Sequence, residues 1–228
     1  MRVGRALSLG LAQAGYDVVV HYHSSASAAR DVSSRIQQLG RRALAVGCDL
    51  GDPAAVEHVA DAARKEFGHL DLMVNSAASF EHADLLDVDA EAWDRGMALN
   101  LRAPFLLVRA SVDLLRASKG TIVNLLDLGA VHAWTHRPHH AVSKAGLLHL
   151  TRILARALAP DVRANAVALG SVLPPEDLGK DTAEFERRRT PLRRTGSPED
   201  VVRTVLFLAA SPFITGEMIV VDGGMSLG

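Results

Sequence analysis

The chain has 228 residues, enough for one sizeable domain at about 150 residues per domain. Hydrophobic residues make up 48% and charged residues 22%, which excludes a disordered or low-complexity chain. The net charge of −1 attracts neither nucleic acid nor an anionic membrane, no apolar run approaches the roughly 18 residues of a membrane span, and the single cysteine, Cys48, excludes an intrachain disulfide.

A reducing, cytoplasmic setting is the expectation from that cysteine usage. The first segment carries Arg2 and Arg5 with no acid before Asp17, as a transit peptide does. Leu7, Leu11 and Ala14 nevertheless share one face and Gly15 follows, so the segment reads as a helix. Asp17–Tyr22 is a β-branched run and reads as a buried strand. A helix follows over Ala26–Leu39, then a strand over Arg42–Gly47. Asp52 and Pro53 open a helix that runs to Phe67. Leu70–Asn75 is a strand, Ala90–Arg116 a long helix and Thr121–Leu126 a strand. His140–Ala159 is a helix and Val162–Val167 a strand. Ser197 caps a helix over Pro198–Ala210, and Met218–Val221 is the last strand. Strands apolar on both faces, alternating with helices, predict a single doubly wound, Rossmann-like α/β domain over residues 1–228, with ligands at the carboxyl ends of the strands.

Several segments bear on chemistry. Asn75-Ser76-Ala77-Ala78 follows a strand with small side chains, which suits either a flat ligand against the backbone or a plain tight turn. His140 and Lys144 lie one helical turn apart, and Asp127 ends the preceding strand. That trio either shuttles protons at one sheet edge or is a solvated Lys with a partly exposed His. Pro104 has no N–H to give the carbonyl of Asn100, so the long helix is expected to kink there. His132, His136, His139 and His140 cluster in sequence, but no Cys and few acids join them, so no metal site is expected.

With these segments in order, the chain resembles the short-chain dehydrogenase/reductase family over nearly its whole length. Asn75-Ser76-Ala77-Ala78 is similar to the family's Asn-Asn-Ala-Gly turn, and Asn100 to its helix Asn. Ser143-Lys144 matches the Tyr-x-x-Ser-Lys motif, and Leu169-Gly170 its Pro-Gly. Gly196-Ser197-Pro198-Glu199-Asp200, Ile214-Thr215-Gly216 and Val221-Asp222-Gly223-Gly224 complete the series. Within the family the chain resembles the pteridine reductases, through His21-Tyr22-His23-Ser24-Ser25 and through Asp127 at the usual catalytic Ser. His140 stands at the family's Tyr position, 13 residues after Asp127. The family's first strand and most of its glycine-rich turn have no counterpart, so an N-terminal truncation of roughly ten residues is expected, a strand of about 5–6 plus a turn.

The resemblance implies an NADPH-dependent reductase that passes a hydride to a C=N or C=O bond of a small substrate, a pteridine among the candidates. A 3-oxoacyl-carrier-protein reductase, a general carbonyl reductase and a lapsed, ligand- or partner-binding member remain open beside it. Asn100, Asp127, His140 and Lys144 would form the catalytic group. Arg2, Gly4, Tyr22, Ser24, Ser25, Asp49, Leu50, Asn75, Ser76, Ala77, Lys144, Gly170, Ser171 and Val172 would hold the coenzyme. Arg2 and the absence of an acid from Tyr22 to Ala29 favour NADPH over NADH. Residues 173–190 would form a lid, and the helices over 90–116 and 140–159 a homodimer or homotetramer interface.

Overall fold

The computed structural model describes residues 3–172, 184 and 187–227. Arg2 and most of the expected lid lie outside the described residues. The chain runs α1 (Val3–Gln13), β1 (Val18–Tyr22), α2 (Ala26–Gln38), β2 (Ala43–Gly47), α3 (Pro53–Phe67) and β3 (Leu72–Asn75). It continues through α4 (Ala90–Met97), a π-helical turn (Ala98–Arg102), α5 (Ala103–Ser118), β4 (Thr121–Asp127) and a 3₁₀ turn (Leu128–Ala130). The last elements are α6 (Pro138–Ala157), β5 (Arg163–Leu169), α7 (Pro198–Ala210) and β6 (Met218–Val221).

All strand pairs are parallel. β1 pairs with β2, and β3-β4-β5-β6 form a separate sheet, so among the described residues the edges of β1 and β3 have no strand partner. The central strands are buried on both faces because each alternates its side chains between two helical layers. Val123, Leu125 and Val167 pack under Leu7 and Leu11 of α1 and Val201, Val205 and Leu208 of α7. On the opposite face Ile122 and Ala164 meet Val108 and Leu115 of α5 and Leu154 of α6. Each fully buried side chain of this size contributes about 1.5–3 kcal/mol. α1 also reaches the small sheet, where Ala12 joins Val18, Val20, Val32 and Ile36.

The long helix expected over 90–116 is broken differently from a simple proline kink. It widens to π over Ala98–Arg102, immediately before Pro104. The N–H of Ala103 bonds the carbonyl of Ala98, one residue further back than in an α-helix. Asn100 sits inside this turn and is fully buried. Helix α6 starts at Pro138, two residues before His140, so the first turn of the helix carries the site. Strand β4 runs one residue beyond its expected end, to Asp127.

Candidate active site

The carboxyl ends of β3 and β4, the π turn and the first two turns of α6 converge. Asp127, the last residue of β4, turns its carboxylate in two directions. Oδ1 accepts the N–H of Gly129 at 2.9 Å, and Oδ2 lies 2.5 Å from Nε2 of His140. A Cβ on Gly129 would fall 2.8 Å from Asp127 Oδ1 and 2.9 Å from Trp134 Cε3, so this turn has room for glycine alone.

The other nitrogen of His140, Nδ1, lies 2.7 Å from the carbonyl oxygen of Ser79. A carbonyl only accepts, so Nδ1 carries a proton. The contact at Nε2 then holds one further proton, shared with Asp127: either an imidazolium donates to a carboxylate, or a carboxyl donates to a neutral ring. Asn100 builds this arrangement. Its Oδ1 accepts the N–H of Ser79 at 2.8 Å, and its Nδ2 donates to the Ser79 carbonyl at 3.1 Å. Nδ2 also donates to Ser143 Oγ at 3.0 Å, whose own proton goes to the carbonyl of His140. With both amide hydrogens so used, the 3.3 Å approach of Nδ2 to His140 Nδ1 is a contact and not a bond.

An aromatic roof covers the dyad. Phe80 meets the His140 ring edge-on at 4.7 Å, and Trp134 lies nearly parallel to it at 6.2 Å. The guanidinium of Arg137 sits 4.2 Å above Phe80. The His140 side chain is 2% exposed and that of Asp127 is 19% exposed, so access to the shared proton is from the aspartate side. Lys144 is buried one turn further along α6 and donates to the carbonyl of Leu125 at 2.9 Å. Burial pushes its pKa below the ordinary lysine value, and the nearby charge of Asp127 opposes that shift.

The four residues expected to be catalytic therefore meet in space. The residues expected to hold a coenzyme line the strand ends with different freedom. Ser24, Ser25 and Ala77 are exposed, and Ser76 is half-buried. Asp49 is exposed and its Oδ1 accepts the N–H of Gly51. Leu50 sends its side chain into the core beside Val56 and Ala103, which leaves only its backbone for a ligand. Tyr22 lies across β2, where a Cβ on Gly47 would fall 2.5 Å from its ring. Asn75 spends its Nδ2 on Asn124 Oδ1 at 2.7 Å, and Asn124 in turn donates to Thr151, so this amide braces β3, β4 and α6. Gly170 and Ser171 follow β5 against Asp222, and Val172 packs under α7. Ser171 lines a cleft of about 780 Å³ with Pro191, Leu192 and Asp222.

Sequence reasoning missed Ser79, Phe80 and Trp134. Ser79 acts through its backbone carbonyl, which leaves no trace in residue type. The two aromatic residues stand out in a chain with 4% aromatics, and their positions beside the Asn75 turn and before the His140 helix were the available signal.

A family model described as enoyl-(acyl carrier protein) reductase matches residues 2–226. The chain belongs to the short-chain dehydrogenase/reductase family. It is 32% identical to an L-rhamnose 1-dehydrogenase (NAD(P)(+)) of Sphingomonas sp., covering 98% of this chain and 91% of that protein. It is 33% identical to a 3-oxoacyl-[acyl-carrier-protein] reductase of Synechocystis sp., covering 98% and 92%. Among solved structures, a doubly substituted Serratia marcescens short-chain dehydrogenase/reductase superposes with a TM-score of 0.92 at 28% identity, covering 99% of this chain and 94% of that one. The chain is thus an α/β Rossmann-like oxidoreductase of this family, whose members use a nicotinamide nucleotide.

Proposed function

We propose that this short-chain family member is an NADPH-dependent reductase of a small carbonyl substrate, with the proton shared by Asp127 and His140 as its acid. The observation that carries this reading is the Asp127–His140 contact, with its approach from the aspartate side. The family Tyr is a neutral acid; the dyad supplies an equivalent proton from two side chains.

The residues present fit a dinucleotide. A Cβ on Gly4 would meet nothing nearer than Ser76 Oγ at 3.9 Å, and the exposed Ala77 and Ala78 add little bulk, so the space between α1 and the β3 turn is open. Gly4, Ser24, Ser25 and Asp49 would hold the adenosine half, and Ala77 would line the crevice. Lys144 would hold the nicotinamide ribose, while Gly170, Ser171 and Val172 would meet the carboxamide. No acid lies between Tyr22 and Ala29, which supports NADPH over NADH. The same reading sets a further parallel strand between β1 and β3, and their unpartnered edges support it.

NADPH, when bound, supplies the hydride that reduces the substrate carbon. The chain's own groups supply the rest. The proton between His140 Nε2 and Asp127 Oδ2 passes to the substrate oxygen, while Ser79 keeps the Nδ1 proton in place. Gly129 steadies the aspartate through its N–H. Phe80 is 54% exposed and offers an apolar wall beside the reacting group.

Asp127 is the feature shared with pteridine reductases, but its bond to His140 gives it a role that requires no pteridine ring. A carbonyl compound is accordingly the better-supported substrate, in line with the dehydrogenase and oxoacyl reductase names of the relatives. One observation favours the lapsed-enzyme reading, the burial of His140 beneath Phe80 and Trp134. We place the protein in the cytoplasm, as a homodimer or homotetramer through α4–α5 and α6, with the exposed Phe105, Val142 and Ile153 as support for the assembly.

Calorimetric titration with NADPH and NADH, followed by turnover assays with a 3-oxoacyl thioester, a simple ketone and a dihydropteridine, tests the reading. Tighter NADPH binding and ketone or thioester reduction are expected. NADPH binding with no turnover of any substrate, restored by His140→Tyr, would establish the lapsed enzyme instead.

A further inference from the structure

We propose that His82, Asp84 and His136 bind one divalent transition-metal ion of the Zn2+ type, which fastens the loop after β3 to the loop before α6. One ligand atom from each residue lies within 4.8 Å of the other two, and all three residues are exposed. The His82 and His136 rings are stacked with centroids 5.9 Å apart and planes 9° apart. Asp84 Oδ1 lies 2.5 Å from His136 Nδ1, and the N–H of Ala83 donates to the carbonyl of His136 at 3.2 Å. That backbone bond sets the two loops in register before any ion arrives. Reading the sequence groups His136 with His132, His139 and His140; instead the fold buries His139 and His140 and brings His82 and Asp84 to His136.

Two imidazoles and one carboxylate suit Zn2+, Co2+ or Ni2+ better than Mg2+ or Ca2+, which prefer oxygen. With bonds of about 2.0–2.2 Å, tetrahedral ligand atoms stand about 3.4 Å apart. The Asp84–His136 contact must therefore open by about 1 Å, which the exposure of both side chains (59% and 69%) permits. Coordination through Nδ1 displaces the proton that Asp84 now accepts, so binding weakens at acid pH. Water completes the shell, because no further group of the described residues joins this cluster.

The position gives the ion a consequence. Phe80 stands two residues before His82, and Trp134 two residues before His136; these two rings flank His140. An ion tying the two loops holds that roof together. The readouts below need no turnover, so they stand or fall apart from the reductase reading.

The test uses the full chain stripped with a chelator. Titration with Co2+ followed by visible absorption, and with Zn2+ by calorimetry, is expected to saturate at one equivalent, with a dissociation constant on the order of micromolar. His136→Ala and His82→Ala are each expected to weaken Zn2+ at least tenfold; both residues are exposed, so the variants should fold. Hydrogen exchange of residues 79–88 and 131–137 should slow with Zn2+ in the wild type and not in His136→Ala. No saturable binding, or binding unchanged in both variants, would overturn the site. Binding lost in the variants without slowed exchange in the wild type would overturn the fastening of the loops.

Discussion

The carbonyl oxygen of Ser79 lies 2.7 Å from Nδ1 of His140 and fixes one of the ring's protons, so the only proton free to move is the one at Nε2, beside Asp127. In the proposed reduction the acid is consequently a property of two side chains and not of either alone. Asn100 of the π turn and His140 of α6 meet at a backbone carbonyl that belongs to neither, and Asp127 of β4 closes on the opposite nitrogen of the ring.

It follows that Asp127→Asn and His140→Phe should each lower reduction by about 10²–10⁴-fold, with the double variant little worse than either. Either substitution removes the shared proton and with it the acid. His140→Tyr carries its proton as a neutral phenol and should sustain reduction where His140→Phe does not. Steady-state rates across pH for these variants check this; additive losses in the double variant would show that the two residues act separately.

Asn100 positions the dyad through Ser79 and is itself fully buried. Asn100→Ala removes three hydrogen bonds, one buried and two partly buried, and releases Ser79, so kcat should fall more than KM rises. Stability should also drop by about 1–3 kcal/mol. Asn100→Asp keeps the bond from the Ser79 N–H but loses the donors, so it should restore stability less than it changes the pH profile. Urea titration and the pH–rate profile separate the two effects.

His139 carries a cost that the fold does not repay. Both ring nitrogens are buried with no hydrogen-bond partner among the described residues, and the ring packs 3.0 Å from where a Cβ on Gly96 would stand. Burial lowers its pKa from 6.5, with Arg95 and His140 adding to the shift and Glu81 opposing it. The unfolded chain therefore binds the proton first, and stability falls as pH drops below about 6.5 and through the lowered folded value. His139→Leu should raise stability at pH 5 by about 1 kcal/mol and flatten this slope. Thermal unfolding from pH 5 to 8 tests it, and an unchanged slope would count against it.

Asp200 secures the start of α7. Its Oδ2 accepts the N–H of Ser197 at 2.9 Å, and Arg194 and Arg203 pair with it. The Ser197 bond first, then the arginines, hold its pKa well below the usual aspartate range. Its contribution is present above the unfolded aspartate value and is lost as pH falls toward the folded one. Asp200→Ala should cost about 1 kcal/mol near neutrality and nothing once the wild-type carboxylate is protonated. Denaturant midpoints at pH 7 and in strong acid give the comparison.

The sequence by itself determined the layers and the chemical inventory. Apolar β-branched runs such as Thr121–Leu126 and Val162–Val167 are local patterns, and alternating them with amphipathic helices leaves a covered parallel sheet as the way to bury both. Asp127 at a strand end, with His140 and Lys144 one turn apart on a helix, brought these three residues to one sheet edge. Only the tertiary structure decided where the protons sit. The Ser79–His140 bond spans 61 residues and the Asp84–His136 contact 52, and both depend on how two loops meet above the sheet. Periodicity carries no information at that range. It describes which face a residue takes within its own element, whereas these contacts depend on the angle and register at which separate elements pack.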